Sequence, residues 1–180
     1  MFADLDNDGW KDLFISNGYL RDFTDMDFLK YTVADARVEA AKQGHTDYKT
    51  YDLVRRMPSH KPANYAFRNY HDLGFTNVSA GWGLNTPAIS NAAAYADLDN
   101  DGDLDLVVCN NNEPAMVYRN NENELRKNHF IKVRLTGSGL NTKALGAKAI
   151  LTTSDGMNQY QEMYTVRGYQ SSVAPELFFG

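Results

Sequence analysis

The sequence predicts a mainly β fold: a partial β-propeller that carries a helical insertion and is followed by a small β-domain. Three observations lead there. An acidic loop, Asp4-Leu-Asp-Asn-Asp-Gly-Trp-Lys-Asp12, recurs as Asp97-Leu-Asp-Asn-Asp-Gly-Asp-Leu-Asp105. Each copy runs on into an apolar stretch of β type, Leu13-Phe-Ile or Leu106-Val-Val. The loop starts lie 93 residues apart, and 42 of these belong to an insertion in the first copy, which leaves a repeat of 51. That is the length of one four-stranded propeller blade.

Taken in chain order, Phe2-Ala3 and Ala92 to Ala96 are first strands, and the acidic loops are the turns that follow. Asp12 to Ser16 and Asp105 to Cys109 are second strands. Ala63 to Asn69 and Ala115 to Asn120 are third strands, aligned through Tyr65-Ala-Phe-Arg-Asn69 and Met116-Val-Tyr-Arg-Asn120. Phe75 to Ser79 is the fourth strand of the first copy.

The insertion, about residues 19–61, has a different period. Met26, Leu29, Val33, Ala36 and Ala40 recur at three and four, one face of a helix. Thr24 or Asp25 can cap its start and Gly44 suits its end. A second, shorter helix is expected from about Asp47 to Arg56, stopped by Met57-Pro58. A connection between second and third strands lies on the face opposite the acidic loops, so the insertion is expected to cap that face.

Beyond His129, Ile131, Val133 and Leu135 alternate with Lys132 and Arg134, the pattern of a half-buried strand. Ala147 to Thr153 and Asn158 to Val166 flank Ser154-Asp155-Gly156, a hairpin signal. The segment is either a separate small domain or an extended sheet packed on the last blade.

The chemistry is concentrated in the two loops. Carboxylates at positions 1, 3, 5 and 9 surround a small volume, and Gly9 or Gly102 at position 6 permits the sharp turn. Such a set repels itself unless a cation lies within it, and hard oxygen ligands on a flexible loop suit Ca²⁺ better than Mg²⁺. An EF-hand needs a carboxylate at position 12; here that position is Ile15 or Val108, and the chain leaves into a strand. An ordinary turn needs one Gly and one Asp, not four spaced carboxylates. The candidate metal residues are Asp4, Asp6, Asp8, Trp10 and Asp12 in the first loop and Asp97, Asp99, Asp101, Asp103 and Asp105 in the second.

These loops between β-strands resemble FG-GAP (VCBS) repeats, the propeller modules of integrin α chains and of many secreted bacterial proteins. The segment from about His129 resembles the ASPIC/UnbV domain that follows such repeats. It carries Phe130-Ile-Lys-Val-Arg-Leu-Thr-Gly137, Asn141, Leu145-Gly-Ala-Lys-Ala149, Arg167-Gly-Tyr-Gln-Ser-Ser172 and Leu177-Phe-Phe-Gly180. The combination is similar to bacterial ASPIC/UnbV proteins of the Bacteroidetes type, and more distantly to an acidic secreted protein of cartilage. The resemblance divides the chain into propeller blades over 1–128 and an ASPIC/UnbV domain, incomplete at its end, over 129–180. It implies a secreted, periplasmic or cell-surface location and a larger parent propeller whose missing blades are partners of this segment.

The formal charge is −5, yet nine aspartates lie in the loops, and the remainder carries 18 basic against 14 acidic residues. Two bound Ca²⁺ would bring the total to −1. The basic residues are dispersed, with Arg55-Arg56 and Arg126-Lys127 the notable pairs, which argues against nucleic acid. A single cysteine, Cys109, excludes an internal disulfide, and no apolar run reaches a membrane span. His45, His60, His71 and His129 show no metalloenzyme spacing, and no nucleophile elbow or phosphate-cradling loop occurs. The expected function is therefore non-enzymatic: a calcium-stabilised module that binds a glycan or protein. Trp82 is a candidate for stacking on a sugar, with Asn111, Asn112 and Glu113 bonding its hydroxyls, on the face opposite the loops. The alternatives are an accessory or catalytic part of a larger enzyme, and a structural assembly segment.

Overall fold

A computed structural model describes residues 1–45, 49–125 and 128–180. Its elements are mainly β, and they fall into two compact units, residues 1–18 with 63–180, and residues 19–62.

In the larger unit, β1 (Phe2–Ala3), β2 (Asp12–Ile15), β3 (Tyr65–Asn69) and β4 (Phe75–Asn77) form an antiparallel sheet in sequence order. A second antiparallel sheet contains β5 (Ser90–Ala96), β6 (Asp105–Asn110) and β7 (Met116–Tyr118). The aligned residues occupy equivalent places: Leu13 pairs with Phe67 in one sheet and Leu106 with Tyr118 in the other. Side-chain alternation sends Phe14 and Ala66 from the first sheet, and Ala93, Leu106 and Val108 from the second, into one shared core. A smaller cluster joins Ala3 to Leu5 and Leu104 of the acidic loops.

The third strand of the first copy starts two residues later than the sequence suggests. Asn64 is buried and spends its amide on Ser90 Oγ (2.9 Å), while its carbonyl accepts the Asn17 N–H (3.2 Å). Those bonds hold the strand entry outside the ladder, and Ala63 makes an isolated bridge to Pro87.

The C-terminal segment is built of three antiparallel pairs: β8 (Ile131–Val133) with β13 (Leu177–Phe179), β9 (Lys148–Thr152) with β10 (Asn158–Glu162), and β11 (Val166–Gly168) with β12 (Ser171–Ser172). Met163, Leu177 and Phe179 form its own core, with Val133, Leu135 and Leu151 against them. The expected hairpin is present, turning at Gly156 with φ +88°. Its second strand ends at Glu162, because Met163 turns fully into that core, and Val166 opens β11 instead.

The smaller unit holds α1 (Val33–Lys42), preceded by one π-helical stretch at Phe28–Thr32, and α2 (Thr50–Arg56). Asp25 Oδ1 accepts the Phe28 N–H at 2.8 Å and so caps the start. Gly44 at φ +75° ends α1 in a Schellman motif, with Gly44 N–H on Ala41 O and His45 N–H on Ala40 O. The apolar stripe is divided: Val33, Ala36 and Ala40 are half-buried, while Met26 and Leu29 are exposed. A π-helical turn takes up more residues than an α turn, so a stripe spaced for 3.6 residues loses phase across it. The start expected for the second helix, Asp47, lies outside the described residues, as does the Arg126-Lys127 pair. Among the described residues no helix is long and apolar enough to cross a membrane.

Candidate metal centres

Both acidic loops adopt the same backbone geometry. Asn7 and Asn100 at position 4, and Gly9 and Gly102 at position 6, all have positive φ, from +51° to +97°. Asn tolerates this conformation and Gly adopts it freely, so the repeated Asn-Asp-Gly folds one tight loop twice. The turn gathers the carboxylates of positions 1, 3 and 5. One oxygen each from Asp4, Asp6 and Asp8 lie within 4.8 Å of one another, and so do those of Asp97, Asp99 and Asp101.

The position-9 carboxylates have a different task. Asp12 accepts the backbone N–H groups of Leu5 (3.0 Å) and Asn69 (3.0 Å), and Asp105 accepts those of Leu98 (2.9 Å) and Asn120 (2.8 Å). Each thus ties the start of its loop to the end of the third strand. Position 7 differs between copies. Trp10 is exposed and stacks on His71, with ring centroids 4.9 Å apart. Asp103 is fully buried and accepts Asn7 Nδ2 (2.8 Å) and the Asn123 N–H (2.7 Å), joining the second loop to the first.

Basic side chains stand at both clusters in equivalent positions. Arg68 reaches Asp6 (2.6 Å) and Asp8 (3.1 Å); Arg119 reaches Asp99 (2.8 Å) and Asp101 (3.3 Å). The neighbouring asparagines also act alike, since Asn69 Nδ2 donates to Lys11 O (3.2 Å) and Asn120 Nδ2 to Leu104 O (3.3 Å), both at position 8. The duplicated Arg-Asn was visible in the sequence, but its role was not. Lys132 adds a second cation at the second loop, 2.9 Å from Asp97 Oδ2.

The first loop is the more deeply buried. Burial, with the crowding of neighbouring carboxylates, pushes Asp4 and Asp12 up to about 7 despite the backbone N–H groups they accept. In the second loop the Asp97 side chain is 3% exposed, and its Oδ1 is buried without a hydrogen-bond partner. A buried carboxylate oxygen in that state is costly. The donor set is all carboxylate oxygen, which fits a hard divalent cation and not a soft metal.

The C-terminal segment covers both loops. A Cβ on Gly102 would overlap the Phe130 ring, and one on Gly9 would meet Gln159 and Met157. Asn128 Nδ2 donates to Asp6 O at 2.9 Å, and Gln159 donates to Gly180 O beside Asn7.

Trp82 packs against both core clusters, touching the group that contains Leu5 and Leu104 of the acidic loops. It lines a cavity of about 200 Å³ with Leu5, Leu84, Leu104, Tyr118 and Arg119. Asn111, Asn112 and Glu113 do not line that cavity. Asn111 instead accepts Asn91 Nδ2 at 2.8 Å, and Asn112 takes a turn conformation at φ +57°. Cys109 is exposed: it sits on the outward side of β6, opposite Val108.

Residues 137–180 match the family model described as "ASPIC and UnbV", which supports the reading of the C-terminal segment. No curated protein and no solved structure matches the chain.

Proposed function

We propose that this chain is a calcium-stabilised, non-enzymatic segment of a β-propeller, in which two FG-GAP/VCBS-type blades carry one Ca²⁺ each and an ASPIC/UnbV domain is seated on the ion-binding loops. The observation that carries the reading is the duplication itself: two three-carboxylate clusters of the same spacing, on the same turn of two sheets with the same strand order. The orphaned Asp97 Oδ1 adds a buried oxygen that a cation would satisfy. Calcium would act structurally, joining the strands each loop connects and raising stability by binding the folded state.

The module is read as an extracytoplasmic binding or adhesion element whose partner is a protein or glycan. Trp82 serves it as inter-sheet packing, so Trp82→Ala should destabilise the fold rather than abolish recognition alone. Isothermal titration tests the metal reading. Two calcium ions should bind wild type, one should bind Asp97→Asn, and absence of binding to wild type overturns it.

A further inference from the structure

Lys132 belongs to β8, yet its ammonium lies 2.9 Å from Asp97 Oδ2, which leaves Oδ1 buried and without a partner. The ammonium is placed by its strand as well as by its charge. It sits 5.1 Å over the Phe178 ring of β13, Phe178 stacks on Phe130, and Phe130 rests on Gly102. One contact set thus runs from the second loop into the β8–β13 pair.

Formal charges explain why this cation is present at the second loop. The first loop holds four carboxylates against Lys11 within the loop and the Arg68 guanidinium. The second has a fifth carboxylate, Asp103, where the first has Trp10, and it meets Lys132 in addition to Arg119. The first loop is left at −2 and the second at −3, so a divalent ion is still attracted to either. Without Lys132 the second loop would stand one charge more negative.

We infer that Lys132 and a bound divalent cation share the Asp97 carboxylate, Lys132 on Oδ2 and the ion on Oδ1, and that the ion, by fixing this carboxylate against the repulsion of its neighbours, outweighs its own repulsion of Lys132, so that occupancy of the second loop and docking of β8 and β13 strengthen each other. This rests on the metal reading given above. The coupling is reciprocal: an ion that tightens docking is itself bound more tightly by the docked state.

Hydrogen exchange of residues 131–133 and 177–179 tests it, with and without calcium, in the 180-residue chain and in Lys132→Met and Lys132→Arg, alongside calcium titration calorimetry. Wild type and Lys132→Arg should gain about fivefold or more in protection with calcium, the lower end of usual coupling. Lys132→Met should still bind calcium while gaining no more than about twofold. Protection that falls with calcium in wild type would mean the ion and Lys132 compete, and an equal gain in Lys132→Met would mean the coupling runs elsewhere; either overturns the inference. Calcium binding with no change in protection removes this inference alone. Absence of calcium binding removes the metal reading and this inference with it.

Discussion

Asp105 accepts the backbone N–H of Asn120 at 2.8 Å, as Asp12 accepts that of Asn69 at 3.0 Å, and in each copy the other carboxylate oxygen takes the N–H at loop position 2. These aspartates hold the fold by tying each loop to the end of the third strand. Asp12→Ala leaves two amides without partners, at about 1–3 kcal/mol each when buried. The loss should persist in EDTA, measured by denaturant unfolding, whereas Asp99→Ala, on an exposed residue, should cost little without calcium.

The two arginines should differ in weight. Arg68 faces Asp6, whose side chain is 1% exposed, while Arg119 and Asp99 are both well exposed. In EDTA, Arg68→Met should cost about 3 kcal/mol, the scale for breaking a buried pair. Arg119→Met should cost about 1 kcal/mol or less. Calcium should recover part of the Arg68→Met loss, which unfolding in both conditions would reveal.

Asp4 and Asp12 set a pH dependence. Their pKa rises from 3.8 to about 7 on folding without an ion, so the ion-free fold binds more protons than the unfolded chain between those values. Their contribution to stability is complete below about pH 4 and is lost as pH rises through about 7. Calcium takes the ionised carboxylates, so its stabilising increment should grow from pH 5 to pH 8. Melting temperatures in calcium and EDTA across that range check this, and an increment larger at pH 5 would refute it.

Gly102 and Gly139 both have positive φ, at +97° and +62°, but only Gly102 lies against a side chain, the Phe130 ring. Replacement by alanine strains the backbone at either position. At Gly102 it also forces Phe130 aside, adding about 1–3 kcal/mol of overpacking. Gly102→Ala should therefore melt well below Gly139→Ala and loosen the C-terminal segment, seen as faster proteolysis after residue 129.

Local signals made the strands and loops legible. The Asn-Asp-Gly turn and the Leu-Phe-Ile and Leu-Val-Val runs need only near neighbours to take their form. The partners of the loops were not legible, because Asn7–Asp103, Asn120–Leu5 and Lys132–Asp97 join residues 96, 115 and 35 positions apart. The covering of Gly9 and Gly102 by Gln159 and Phe130 is likewise set by how three short strand pairs stack. Trp82 packs against two core clusters, one of which contains Leu5 and Leu104, and contacts of that kind between distant residues are not written in local sequence. The duplicated Arg-Asn was the one sequence signal that could have revealed the resident cations.

Thermal unfolding in calcium, magnesium and EDTA, on wild type and on Asp6→Ala combined with Asp99→Ala, tests the central claim most directly. A calcium-selective rise in melting temperature that the double change abolishes is the predicted result. Identical melting of wild type in calcium and EDTA would contradict it and leave the two loops as turns held by Asp12, Asp105 and their arginines.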